Sequence, residues 1–283
     1  MSVVERARVV RVERPASRWE LVTRTPAPAF APLVSRMLGY TERSPGRIER
    51  AEMPSSKVMM VIPLGPPIHA TERDGRRLVR FSDGFVAGLD DGPGRTEHEG
   101  VQCGLRLDLT PQGARRLLGV PMTDLSGRIV SLRDLLPPQQ CDMGPRLRQL
   151  PDWDARFDLL ERVLSERFAG REPQHQDVGW AAQQIEKSCG RVNISELVAK
   201  LGYSHKHTLR LFREHIGLPP KLFARLVRFE AVRRAIRCPA PAGLAELADH
   251  FGYADQAHLV REVRHFSGRS PTALRLTSPL DAG

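Results

Sequence analysis

Two segments near the C-terminal end of this 283-residue chain repeat each other at a period of about fifty residues, and no other feature restricts the fold as tightly. In the first, Ile194, Leu197, Val198 and Leu201 form an apolar stripe at helical spacing. The turn Gly202-Tyr203-Ser204 follows, then a second amphipathic run holding Leu211 and Phe212, then Gly217 and Pro220. In the second, Leu244, Leu247, Ala248 and Phe251 precede Gly252-Tyr253-Ala254-Asp255, a run with Leu259 and Val263, then Gly268 and Pro271. A glycine at the turn lets one helix cross the next sharply, which is helix-turn-helix geometry. One such unit would read equally well as a bundle with a glycine cap; two with the same internal spacing point to a paired helix-turn-helix.

The exposed faces of the two second helices carry matching chemistry. Lys206, Leu209, Arg210 and Arg213 share one face of the first; Ala257, Val260, Arg261 and Arg264 share the same face of the second. Asp255 is the expected N-cap of the second, with Gln256 in its first turn. Arginine forks onto guanine O6 and N7, glutamine pairs with adenine, and Leu209 and Val260 suit thymine methyls. The alternative for each arginine is an ordinary solvated helix surface. Between the units, Leu222, Leu226, Phe229, Arg233 and Ile236 mark a long amphipathic helix over 219–237 that would fix the spacing of the two faces. At a separation of about 34 Å they would meet successive major-groove faces of one duplex. Arg225, Arg228, Arg233 and Arg234 on that linker read equally as phosphate contacts or as solvated charges.

The sequence here resembles the AraC/XylS family of transcription regulators. The residues that carry the resemblance are Ile194-Ser195-Glu196-Leu197-Val198, Gly202-Tyr203-Ser204, Leu211-Phe212-Arg213, Gly217-Leu218-Pro219-Pro220, Arg228-Phe229-Glu230-Ala231, Leu247-Ala248, Gly252 to Leu259, and Gly268-Arg269-Ser270-Pro271. It spans roughly residues 180–276. The resemblance implies that recognition helices at about 205–215 and 256–266 enter double-stranded DNA. It implies base contacts by Lys206, Arg210, Gln256 and Arg261, and phosphate contacts by Ser204, Arg213 and Arg264. The chain departs from the family at Thr208, where leucine is usual, and at Leu259 and Val263, where phenylalanine is usual. Smaller core residues would cost each helix about one or two kcal/mol unless neighbours compensate. Glu262 beside Arg261 would weaken the second positive face, so the first unit is expected to give more of the base specificity.

Composition agrees with a polyanionic partner. The formal net charge is +10, and residues 177–283 hold 16 Lys and Arg against 10 Asp and Glu. Residues 1–45, with Pro15, Pro26, Pro28 and Pro32 among many arginines, read as an extended or poorly ordered arm. Residues 46–170 read as a β-rich domain with trailing helices: short runs at 57–62, 78–81 and 101–109 are separated by Pro, Gly and Asp turns. The alternation from Val101 to Leu109 suits a strand with one face buried. Helices are expected at 111–118 and 153–168, the longer one packing on the β-domain or pairing between subunits. The polar stretch 170–176 marks the boundary to the domain at 177–276, with 277–283 a tail. The expected fold class is α+β: an N-terminal β-rich, cupin-like regulatory domain, then an all-α domain of two helix-turn-helix units joined by a linker helix. A weaker resemblance around Gly100-Val101 to Pro111-Gln112-Gly113-Ala114 implies that the β-domain senses a small-molecule effector, of no named identity, or mediates homodimerisation.

Other classes fit poorly. Cys103, Cys141, Cys189 and Cys238 are scattered, suggesting neither zinc site nor disulfide framework; most are expected buried as thiols. His69 with Glu97-His98-Glu99 lacks the spacing of a cupin metal site, so no metal and no cofactor are expected. No nucleophile elbow, P-loop or dinucleotide fingerprint occurs, and Asp90-Asp91-Gly92-Pro93-Gly94 reads as a turn, so no catalytic residues are expected. No run approaches the ~20 apolar residues that span a bilayer. A cytoplasmic, nucleoid-associated regulator is expected, meeting RNA polymerase if it activates. A sequence-tolerant nucleoid-type binder, whose N-terminal domain only oligomerises, is the alternative.

Overall fold

The computed structural model describes residues 8–14, 17–71, 77–137, 142–170, 175–238 and 242–275. Its N-terminal half is built around the strand β10, Val101–Leu109, whose alternation gives it two different faces. Leu105, Leu107 and Leu109 are fully buried in the main core on one side. The alternates Gln102 and Arg106 do not face open solvent, as a half-buried strand would have them do; buried and half-buried respectively, they line a cavity against a second sheet.

Among the described residues, eleven strands form two antiparallel sheets. They are β1 (Arg8–Arg14), β2 (Ser17–Arg24), β3 (Val34–Arg43), β4 (Ile48–Glu52), β5 (Val58–Pro63), β6 (Ile68–Thr71), β7 (Leu78–Phe81), β8 (Phe85–Ala87), β9 (Gly94–His98), β10 and β11 (Ile129–Ser131). The larger sheet has the order β1-β2-β3-β10-β5-β8-β11 and the smaller β4-β9-β6-β7. The expectation of an extended arm over residues 1–45 needs correction from Arg8 onward. β3 pairs with β10 from Val34 to Arg43, with β2 on its other side. Pro26, Pro28 and Pro32 fall in the connection between β2 and β3, where Phe30 N–H closes a turn on Ala27 C=O at 2.7 Å. Proline punctuates that region without preventing the pairing on either side.

Helix α1 (Pro111–Leu118) begins with Thr110, whose hydroxyl accepts from Gly113 N–H, and ends on Gly119 in the left-handed region. A 3-10 turn at Met122–Asp124 follows, then the short helices α2 (Leu132–Leu135) and α3 (Met143–Arg148). α4 (Trp153–Ala169) lies on the larger sheet rather than facing outward: Phe157, Leu160 and Leu164 are buried, and Trp153 Nε1 donates to Glu20 at 3.1 Å. Arg24 on β2 binds Asp158 at 2.5 Å and Glu161 at 3.4 Å.

The helices of the C-terminal half are α5 (Gln176–Lys187), α6 (Ile194–Lys200), α7 (His205–Ile216), α8 (Pro220–Ile236), α9 (Leu244–His250), α10 (Gln256–Ser267) and α11 (Pro271–Arg275). Part of the expected boundary, 171–174, and the expected tail, 277–283, lie outside the described residues, as does Cys141. One apolar cluster runs from Leu105 and Leu107 through Leu117 of α1 to Phe212, Phe223 and Phe266. Of the described cysteines none is buried: Cys103 and Cys189 are half-buried and Cys238 is exposed, contrary to expectation. Among the described residues no helix is long and apolar enough to cross a membrane.

Candidate nucleic-acid interface

Each helix-turn-helix is assembled from local signals. Asn193 caps α6 by accepting from Ser195 and Glu196 N–H, while Glu196 reaches back to the Asn193 amide. Gly202 and Gly252 take φ of 72° and 70° at the two turns, where a side chain would be strained. Ser204 caps α7 through His207 N–H at 3.3 Å, and Asp255 caps α10 through His258 N–H at 2.6 Å. Both helices end on left-handed glycines, Gly217 and Gly268. From the caps onward the units run in register, so Leu209, Arg210 and Arg213 correspond to Val260, Arg261 and Arg264.

The expected reading residues fall on one face of each helix. Lys206, Arg210 and Arg213 are exposed with Leu209 half-buried between them; Gln256, Arg261 and Arg264 are exposed with Val260 half-buried. Ser204 is exposed, its oxygen engaged as the cap and its O–H left to donate. Arg210 is not a free cation: its Nη1 binds Glu214 one turn on at 3.1 Å, and Glu214 is also held by Arg115 of α1 at 3.2 Å. An incoming base must compete with a half-exposed carboxylate, a modest penalty for a surface pair.

Four expectations about charge need correction. Glu262 does not spoil the second face; it turns inward, 9% exposed, and accepts from Arg225 of α8 at 2.7 and 3.0 Å. Arg225 is therefore held in an ion pair rather than left as a simply solvated charge, and the bond to Glu262 raises its already high pKa. Arg228 caps backbone instead, donating to Gly190 C=O at 2.7 Å and Gly252 C=O at 3.2 Å, which joins the linker helix to the chain leaving α5 and to the turn of the second unit. Arg233 is buried, and burial lowers its pKa. Among these four only Arg234 stands in solvent.

The smaller core residues are accommodated. Thr208 is fully buried with its hydroxyl donating to Ser204 C=O at 3.1 Å, so the polar atom is satisfied within the helix. Leu259 and Val263 are fully buried, and Phe266 stacks on Phe229 of α8 with centroids 5.1 Å apart.

Sequence reasoning missed a repeated pair beside the reading faces. The Tyr203 ring lies tilted against His207 with centroids 4.9 Å apart, and the Tyr253 ring meets His258 edge-on at 5.2 Å. The signal was a tyrosine after each turn glycine with a histidine shortly after it, at spacings that differ because Ala254 has no counterpart in the first unit. It also missed the groove between the units, walled by His205, Leu209, Lys221, Arg225 and His258.

On the β-domain, His69 sits opposite Glu97 across β6 and β9, but Glu97 is bound by Arg47 and Arg95. His98 instead meets Glu42 at 3.0 Å. Among the described residues no group of three or more His, Cys, Asp or Glu is arranged to hold a metal ion. Asp90 and Asp91 lie in a bend where Asp91 N–H donates to the Asp90 carboxylate at 2.6 Å.

Residues 197–277 match the family model of a helix-turn-helix domain. No curated protein matches the chain. Among solved structures, an apo ToxT variant from Vibrio cholerae is similar over 95% of this chain and 100% of its own, at 7% identity and a TM-score of 0.48. A second ToxT structure from Vibrio cholerae is similar over 86% and 99%, at 9% identity and 0.48. The xylose-binding transcription activator XylR is similar over 37% of this chain and 28% of its own, at 16% identity and 0.32.

Proposed function

We propose, from the match of residues 197–277 to a helix-turn-helix domain, that the whole protein is a sequence-specific regulator of transcription of the AraC type. The observation that carries the reading is the exposure of Arg210 and Arg213 at the same helical positions as Arg261 and Arg264, on the second helices of two matching units. The recognition helices, α7 and α10, enter successive major grooves of one duplex. Lys206, Arg210, Gln256 and Arg261 face base edges, Leu209 and Val260 approach thymine methyls, and Ser204, Arg213 and Arg264 hold phosphates. With Glu262 withdrawn from the surface, the second reader works at closer to the strength of the first.

The N-terminal β-domain supplies the signal in this reading. Between its sheets lies a cavity of about 300 Å³, with Trp19, Leu38, Tyr40 and Phe85 giving apolar walls and Arg36 and Arg106 polar ones. A small molecule fits such a space better than a macromolecule does.

Selection of bound sites from random duplexes tests the regulator reading: recovery of one two-part motif supports it, and recovery of no motif leaves a sequence-tolerant binder. A small-molecule screen on the intact protein, read as a melting shift, tests the effector.

A further inference from the structure

The two readers are seated on the β-domain at equivalent places. Under the C-terminal end of α7, Ser126 Oγ donates to Gly217 C=O at 2.6 Å, and Met122 lies against the same glycine. Under the C-terminal end of α10, Asp91 Oδ2 lies 3.4 Å from His265 Nε2, and Pro93 lies beside Gly268. Gly217 and Gly268 are the matching caps of the two recognition helices.

The two seats are parts of one piece. Gly127 N–H donates to Leu89 C=O at 2.9 Å, Gly88 N–H donates to Arg128 C=O at 3.0 Å, and Ser126 Oγ also reaches Leu89 C=O at 3.4 Å. A third attachment holds the linker helix itself: Glu230 accepts from Ser55 Oγ at 2.9 Å and Ser56 N–H at 3.0 Å. Three separated attachments fix the orientation of one rigid body on another.

We propose that this paired seat sets the distance and angle between the two readers, making Ser126 and Asp91 of the β-domain positioning residues for the spacing of the DNA half-sites. The inference rests on the regulator reading, and it differs from one in which the linker helix alone fixes the spacing. A smaller cavity in the β-domain is walled by Ser55, Gly88, Asp90 and Gly127, the backs of all three attachments. An occupant that moved those segments would reach both readers at once.

The test uses the full chain with spin labels on genetically encoded ketone side chains at Lys200 and Asp249, exposed positions on α6 and α9 away from the reading faces. The wild type is compared with a Ser126→Ala/Asp91→Asn double variant and with Ser126→Glu, whose carboxylate repels the Gly217 carbonyl. The expected result is a distance distribution that shifts or broadens in both variants. On duplexes whose half-sites are stepped apart one base pair at a time, preference for the best spacing should fall at least about threefold, while affinity for a single half-site is kept. Unchanged distances and unchanged spacing preference in both folded variants would overturn the proposal. If the protein binds all duplexes equally, the regulator reading fails while the distance measurement still decides the seat.

Discussion

Glu262 on the second recognition helix is held by Arg225 of the linker helix through both carboxylate oxygens, at 2.7 and 3.0 Å. The first unit has buried Leu211 at the matching position. The guanidinium also lies 5.5 Å from the centroid of the Phe266 ring, so the pair is wedged into the contact between α8 and α10. What looks in the sequence like an acid beside a DNA-reading arginine is a clasp that fixes the second reader to its linker.

Removing one half of the clasp should therefore cost stability. With the Arg225 side chain 35% exposed, the loss on Glu262→Leu is expected at about 1–3 kcal/mol, below that of a fully buried pair. The Arg225→Leu/Glu262→Leu double variant, which imitates the first unit, should recover most of it. Urea unfolding of the wild type, Arg225→Leu, Glu262→Leu and the double variant checks this; additive losses would show that the pair does not act as a unit.

Arg210 and Arg213 are one turn apart and should behave differently. Arg210→Ala is expected to weaken the selected site by about 1–3 kcal/mol and to relax selectivity at one base position. Arg213→Ala should weaken all duplexes alike and lower the slope of log K against log salt by about 0.9. Anisotropy titrations across single-base variants and salt concentrations separate the two roles. A uniform loss for Arg210→Ala would reassign it to phosphate.

His215 gives the fold a pH dependence. Burial, then the nearby charges of Arg115 and His175, lower its pKa from 6.5 to about 4, against weaker opposing effects of Glu214 and Asp177. The unfolded chain takes up this proton more readily than the folded one, so the stability held above the unfolded pKa is lost as pH falls through that window. The expected loss is on the order of 2 kcal/mol. His215→Leu should flatten this part of the profile in denaturant melts; an unchanged slope would assign it to other groups.

The paired helix-turn-helix was legible because its signals are local. Apolar spacing, the glycine turns and the capping of α10 by Asp255 each lie within a few residues of what they determine. The strands from Arg8 to Arg43 were not legible, because the sheet they extend is anchored where β3 meets β10, some sixty residues away along the chain, with β2 and β1 added outward from β3. The fates of Arg225, Arg228 and Arg233 were hidden for a related reason. A linker arginine reads as solvated until a distant acid, a pair of orphan carbonyls or a closed core is brought to it. Thr208 shows the converse: a hydroxyl satisfied by its own helix is compatible with a core position where leucine was expected.

One comparison tests sequence-specific reading by this protein most directly. The intact protein is titrated, at a fixed near-physiological salt concentration, against a duplex obtained by site selection and against its scrambled counterpart of identical composition. Specific regulators favour their sites by roughly 10³-fold or more, with affinity falling steeply as salt is raised. The expected result is a preference of that order, abolished when Arg210 and Arg261 are both replaced by alanine in a protein that still melts normally. Equal affinity for the two duplexes, or a preference untouched by the double replacement, would contradict it.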